Sequence, residues 1–264
     1  MKVRDVMTKD VIFVDKDVDL KYVLKLMKKH NITKIPVLDD KKVIGVVTDT
    51  AIAVKLGAIR SRGVPVSRLH ASSVMEKEIE TVSPDEDVAT ILATVGEPGP
   101  TMLHVVENDT LVGVVTKADL LPLVDSSQSV EEIMQRNVHS VSPEDRVIHA
   151  RRKMIDENVA RLPVINNGML IGMISDIDIV FALARIKRSF PLGRQKHQLE
   201  ELLVNDAMKT PAISINYDKT VTDAAKLMME HEIGALPVIK NDKVVGIITR
   251  TDLLKTVSLR KEKE

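Results

Sequence analysis

Three stretches of this chain, each three residues after a glycine, carry a hydroxyl and an aspartate three positions apart: Thr116-Lys117-Ala118-Asp119, Ser175-Asp176-Ile177-Asp178 and Thr249-Arg250-Thr251-Asp252. A hydroxyl at a helix start can bond a ligand oxygen, and the free N–H groups of the first turn favour an anion. A carboxylate three residues on can accept two hydrogen bonds from a vicinal diol such as that of a ribose. The same pattern is also a helix-capping box that needs no ligand. Both readings are open on this pattern alone.

Other chemistry is sparser. Lys34 and Arg161 each stand two residues before a proline, Pro36 and Pro163, where a cation can meet phosphate or simply face solvent. Arg185, Lys187, Arg188, Arg194, Lys196 and His197 form a basic stretch. Lys plus Arg equals Asp plus Glu, 38 each, so no net field draws the chain to nucleic acid or an anionic membrane. Aromatic residues are 2%, too few for base-stacking platforms. The absence of cysteine excludes disulfides, Cys-zinc sites and a thiol nucleophile. The histidines show no His-x-x-x-His pair, and neither a glycine-rich phosphate loop nor a Gly-x-Ser-x-Gly elbow is present. No nucleophile–base pair or metal cluster emerges, so binding rather than catalysis is expected, without a catalytic cofactor. Apolar residues at 44% and charged residues at 29% mark a globular chain. The N-terminus shows no apolar signal region and no run is long enough to span a membrane, so a cytoplasmic protein is expected.

The elements that must position these groups recur. Met7, Pro36, Gly45 and Thr48 return as Met134, Pro163, Gly172 and Ser175, and as Met208, Pro237, Gly246 and Thr249. A further copy has Met75, Gly113 and Thr116, with His104 in the proline place. Met to Pro is 29, Met to Gly 38 and Met to Thr/Ser 41 residues without a gap. Each copy predicts the order β-α-β-β-α. In the first copy Val11–Val14 reads as a strand. Leu20, Val23, Leu24 and Met27 form one helical stripe, which Asn31 ends. Lys34–Leu38 and Val43–Val47 read as strands about a turn. In the second copy Ser83-Pro84-Asp85-Glu86 predicts a helix start. The repeats span 1–60, 68–125, 126–187 and 201–260. A unit of this size buries too little surface to stand alone. The long connections, Gly57 to His70 and Phe181 to Val204, place repeats one with two and three with four. The linker-like Asp125–Ser129 then joins the pairs, and each repeat's apolar faces are expected to be covered by its partner.

The first copy departs from the motif. It reads Thr48-Asp49-Thr50-Ala51, with Ala51 in the acid's place and Asp49 about 200° away round a helix.

Val6-Met7-Thr8, Leu162-Pro163-Val164 and the Gly-x-x-Ser-x-x-Asp of Gly172, Ser175 and Asp178 resemble the cystathionine β-synthase (CBS) domain. Four tandem copies are similar to the γ regulatory subunit of AMP-activated kinase and to stand-alone archaeal CBS proteins. The resemblance implies an α/β fold of two paired modules forming a disc, with adenine nucleotide (AMP, ADP or ATP) or an S-adenosylmethionine-type ligand between paired repeats. It gives Asp119, Asp178 and Asp252 the ribose, and places Thr116, Ser175, Thr249 and Thr48 beside ribose and phosphate. Arg161 and Lys34 would contact phosphate. Val159-Ala160 and Ile233-Gly234 would wall the adenine, though they equally suit core. Within such a fold, three matched motifs favour binding over capping, with the first copy's cleft the weakest. The implied role is a regulatory sensor acting on a protein target, with a second copy of the chain a candidate partner. The alternative is a nucleic-acid-binding or scaffolding module using the basic 185–197 linker.

Overall fold

The computed structural model of the chain describes residues 1–57, 64–95 and 102–261. The first repeat opens on the short helix α1 (Val3–Val6) and continues through β1 (Val14–Asp15), α2 (Leu20–His30), β2 (Lys34–Asp39), β3 (Lys42–Thr48) and α3 (Asp49–Gly57). Helix α2 forms on the expected stripe: Leu20, Val23, Leu24 and Met27 are its buried residues. Asp19 caps it by accepting from the Tyr22 N–H, and Asn31 ends it at φ 50°. The β2–β3 turn has two central residues at positive φ, Asp40 (46°) and Lys41 (68°). That turn geometry matches the twist of a tight hairpin, and Asn108-Asp109, Asn167-Gly168 and Asn241-Asp242 repeat it. β1 pairs parallel with β2, which pairs antiparallel with β3.

The other repeats follow. The second has β4 (Glu80–Val82), α4 (Val88–Val95), β5 (Met102–Glu107), β6 (Thr110–Thr116) and the short α5 (Lys117–Leu120). The third has α6 (Val130–Ile133), α7 (Val147–Asp156), β7 (Arg161–Asn166), β8 (Met169–Ser175) and α8 (Asp176–Ser189). Helix α9 (Leu192–Glu201) leads into the fourth, with β9 (Ile215–Asn216), α10 (Val221–Glu230), β10 (Ala235–Lys240), β11 (Lys243–Thr249) and α11 (Arg250–Lys261). Two local expectations change. The strand expected over Val11–Val14 is confined to Val14–Asp15. Ser83–Glu86 closes a turn instead of starting a helix, with the Glu86 N–H on the Ser83 carbonyl at 3.1 Å. Asp87 takes over as cap and accepts from the Ala89 N–H at 2.8 Å.

The constant Met-to-Gly spacing has a physical cause that lies between repeats. Each Met crosses to the paired repeat and lies on its glycine: Met7 on Gly113, Met75 on Gly45, Met134 on Gly246 and Met208 on Gly172. A Cβ on Gly172 would sit 2.7 Å from the Lys209 carbonyl oxygen, and one on Gly45 would sit 2.6 Å from that of Glu76. Only a bare backbone admits the crossing segment at that distance. Short antiparallel bridges fix it: Thr8 to Val114, Glu76 to Val46, Gln135 to Ile247 and Lys209 to Met173. Repeats one and two are therefore interlocked, as are three and four. Asp125–Ser129 is no free linker: Ser126 N–H donates to Thr222 Oγ1 at 2.8 Å, and Gln128 O accepts from the Val221 N–H. Its polar groups are used on the start of α10. Of the connection from Gly57 to His70, residues 58–63 lie outside the described residues.

The cores run the other way. One joins repeat one with repeat three, from Leu20, Ile35 and Ile52 to Leu162, Ile174 and Ile179. The second joins repeat two with repeat four, from Leu103 and Leu120 to Leu236 and Leu253. Helix α3 packs along α8, and α11 packs against α4 and α5. The expectation that each repeat covers the apolar faces of its own pair partner is thus corrected. The pair exchanges only the short segments after each Met, whereas the helical faces are buried across pairs. This cross-pair packing lets four helix starts converge at one place.

The basic 185–197 stretch is also corrected, from linker to helix: it runs through the end of α8 into α9. Lys187 is 7% exposed, Arg185 donates to the Asp206 carbonyl, and Lys196 lies 4.0 Å from Glu200. No described helix is long and apolar enough to cross a membrane.

Candidate functional site

The exchanged segments each bring one side chain to a Thr/Ser motif. The residue after each Met arrives at the Thr/Ser motif of the paired repeat. Thr8 Oγ1 donates to Asp119 Oδ1 at 2.7 Å. Gln135 Nε2 reaches both oxygens of Asp252, at 3.0 and 3.3 Å. Lys209 Nζ lies 3.7 Å from Asp178 Oδ1. Glu76 Oε1 accepts from Thr48 Oγ1 at 2.9 Å. These four residues escape a reading of single repeats. Their signal is present, as the position after each Met, but only the crossing shows which motif each one serves.

The three aspartates also cap their own helices. Asp119 Oδ2 accepts from Thr116 N–H and Oγ1, both at 2.7 Å. Asp252 Oδ2 accepts from Thr249 N–H at 2.8 Å and Oγ1 at 2.6 Å. Asp178 Oδ2 accepts from the Ser175 N–H at 2.9 Å and from its hydroxyl. So the capping reading is physically realised, and it leaves one oxygen per carboxylate for anything else. A carboxylate offers about four acceptor positions. Asp252 has both oxygens bridged by Gln135, and Asp119 has its outer oxygen bonded by Thr8. Asp178 has only the longer ion pair with Lys209, whose side chain is 70% exposed. Asp178 is thus the acid least engaged by a crossing segment, although its side chain is itself buried.

The cations are positioned by strand register. Lys34 pairs with Thr48, Met102 with Thr116, Arg161 with Ser175 and Ala235 with Thr249. Hence repeats one and three each set a cation opposite the hydroxyl, and repeats two and four do not. Arg161 lies over Gly234 of the fourth repeat: a Cβ there would be 2.8 Å from Nη1. Burial lowers the Arg161 pKa, opposed by Asp49, Asp178 and Asp176 nearby. Burial likewise pulls Lys34 down to about 8, against the pull of Asp49 and Glu76. Arg250, the first residue of α11, is lowered to about 10, first by burial and next by Arg161. Its Nε is buried with no hydrogen-bond partner among the described residues. Ala160 and Gly234 contribute backbone: their carbonyls accept from the Asp176 and Arg250 N–H groups at 3.1 and 3.2 Å. Val159 and Ile233 pack against the two cores.

These groups meet where the helix starts converge. Thr50 Oγ1 donates to Asp176 Oδ2 at 2.8 Å, from repeat one to repeat three. Lys117 Nζ donates to Thr251 Oγ1 at 2.7 Å, from repeat two to repeat four. Lys34 feels the like charges of Lys117 and Arg250, and Arg250 feels that of Arg161. Four cations therefore crowd the N-terminal ends of α3, α5, α8 and α11, where the helix dipole is also positive. Asp49 and Asp176 offset part of this. Asp49 is itself pushed up to about 6, by burial and then by Asp176. The arrangement can hold an anion against the cations and a diol against Asp178. Among the described residues no group of His, Asp and Glu could hold a metal ion.

Comparison with known proteins agrees with this geometry at the level of the family. The chain is 27% identical over 266 residues to the Methanocaldococcus jannaschii protein MJ1404, covering 97% of this chain and 62% of that protein. It is 23% identical to MJ1225 of the same organism, over 94% of this chain and 95% of the relative. The crystal structure of MJ1225 superposes with a TM-score of 0.84 at 21% identity, covering 97% of this chain and 99% of that one. A conserved protein from Pyrococcus horikoshii gives a TM-score of 0.63 at 19% identity, over 97% and 100% of the two chains. The family model of the CBS domain matches residues 3–57, 71–126, 130–185 and 204–259, one match for each repeat, and the chain belongs to the CBS-domain family.

Proposed function

We propose that this chain is a regulatory sensor of an adenine nucleotide, bound in the clefts at the Thr/Ser motifs with its phosphate toward the shared centre. The observation that carries the reading is the joint placement of Arg161 and Asp178 on one repeat. A cation lies opposite Ser175, and the least occupied acid lies three residues beyond it. Nearby, Lys34 is repelled by Lys117 and Arg250, and Arg250 by Arg161, a cost that a phosphate relieves. Binding there would touch repeats three, four and one together. Any preference for one setting of the two cores then becomes a signal to a protein target. Nothing in this arrangement calls for turnover.

The basic 185–197 stretch gives the nucleic-acid alternative little support, because its cations are buried, paired or spread over two helices. Titration of the chain with AMP, ADP, ATP, NAD and S-adenosylmethionine, read by calorimetry and melting, tests the reading. A ligand at 100 times its Kd stabilises by about 2.7 kcal/mol. Arg161→Ala should weaken AMP more than adenosine, by roughly tenfold or more, because a charge-assisted bond is worth roughly 1.5–3 kcal/mol. Flat traces with all five compounds overturn the proposal.

A further inference from the structure

The first repeat has Ala51 where the other motifs carry their acid, and on sequence alone its cleft is the poorest. The structure puts a carboxylate there by another route. Thr48, 2% exposed, donates its hydroxyl to Glu76 Oε1 at 2.9 Å. In the third repeat the Ser175 hydroxyl makes the same donation to Asp178. Glu76 belongs to the second repeat and reaches Thr48 on the exchanged segment. Its backbone is locked in place by two hydrogen bonds with Val46, each 2.9 Å.

We propose that Glu76 is the diol-reading acid of the first repeat's cleft, supplied by the paired repeat in place of the missing aspartate. This rests on the functional reading given above. Three features support it. First, Glu76 is exposed while Thr48 is buried, so one carboxylate oxygen is held by the hydroxyl on a side chain that stays open to solvent. Second, Lys34 stands opposite Thr48 as Arg161 stands opposite Ser175. With Glu76 counted, repeats one and three share one set of groups: cation, hydroxyl and acid. Repeats two and four, with Met102 and Ala235 at the cation's place, lack it. Third, the residue after the Met in the other pairings is Thr8, Gln135 or Lys209, and each of those meets an aspartate already present. The single acid at this position occurs opposite the single motif without one. The two equivalent repeats, one and three, which share a core, thereby become the two complete sites. The ligand class is a ribonucleotide with a free 2′,3′-diol.

Calorimetric titration of the full chain with AMP and with 2′,3′-dideoxy-AMP tests this. Three chains are compared: the natural one, Glu76→Gln, and Glu76→Gln with Ala51→Asp. Glu76→Gln keeps an acceptor for Thr48, so its melting temperature should stay put. One AMP binding event should vanish or weaken at least about tenfold, the loss expected when a charged acceptor becomes neutral. Ala51→Asp should restore it. On the natural chain, dideoxy-AMP should lose affinity at both complete sites, since neither Glu76 nor Asp178 then has a diol to read. An AMP isotherm unchanged by Glu76→Gln, alongside binding that Asp178→Ala still weakens, overturns the Glu76 assignment and leaves the sensor reading intact. A flat AMP isotherm for the natural chain overturns both.

Discussion

Asp49 is a carboxylate that the folded protein holds at a cost, and the cost can be measured by removing its charge. The residue begins α3, accepts from the Thr50 N–H at 3.0 Å and lies close to Asp176 across the interface of repeats one and three. Its pKa stands at about 6 in the fold against 3.8 unperturbed. For a raised carboxyl the sign runs one way. The neutral form is favoured by the fold, so its stabilising contribution is full below 3.8 and disappears as pH climbs through about 6. Above that, the difference between 3.8 and about 6, in which the attraction of Arg161 and Lys34 is already counted, corresponds to a penalty of about 3 kcal/mol. Asp49→Asn keeps an acceptor for the Thr50 N–H and removes the charge. At pH 7.5 the variant should melt higher, by up to about 6–12 °C at roughly 2–4 °C per kcal/mol for a chain of this size. Near pH 4 the difference should close almost completely. Differential scanning calorimetry at both pH values, in equal ionic strength, reads this directly. A gain that persists at pH 4 would mean that packing rather than charge is responsible. A loss at pH 7.5 would mean that the attraction to Arg161 and Lys34 outweighs burial, and the account of a cation-rich, partly desolvated centre would fail.

Two more outcomes separate roles that coincide in the structure. Asp178→Ala and Asp252→Ala each remove two cap hydrogen bonds, so both should lose roughly 0.5–2 kcal/mol of stability. Only Asp178→Ala should weaken AMP strongly, because Gln135 occupies Asp252; equal losses of affinity in both would contradict that ranking. Residues 1–125 expressed alone would expose the apolar face of α3 that α8 covers, so sedimentation should find a dimer with a second copy in place of repeats three and four, or aggregate. A well-behaved monomer would show that the cross-pair core is not needed for the module to persist.

Much of the unit is legible in its sequence because local rules set it. The stripe Leu20, Val23, Leu24, Met27 makes α2, Asn31 ends it, and the proline-bearing strands pair with the glycine-bearing ones as the spacing suggests. What stays hidden is which surface meets which. Met anchors and glycines keep fixed distances within each repeat, yet the contact they serve joins two repeats. Ser83-Pro84-Asp85-Glu86 carries a start signal that is spent on a turn, since Asp87 lies closer to the first helical residue. The site divides similarly. Ser175, Asp178 and Arg161 could be picked out from motif and register, whereas Thr8, Glu76, Gln135 and Lys209 follow the fold, not the motif. The capping reading does not exclude the binding one at Asp178, whose Oδ2 serves the helix while Oδ1 meets only the longer ion pair with Lys209.

The crossing cores also impose a timetable on synthesis. Repeat one is complete as a sequence at Gly57, but the apolar residues it buries against include Ile179 and, at the far edge of the same core, Val204. A ribosome adding about 5–20 residues per second needs roughly 7–30 s to cover that distance. Throughout that interval Ile52 and Leu56, both buried in the finished protein, wait on a half-made surface. The chain's vulnerability to aggregation is thus greatest while it is still tethered, and a slow stretch of message before the third repeat would lengthen it.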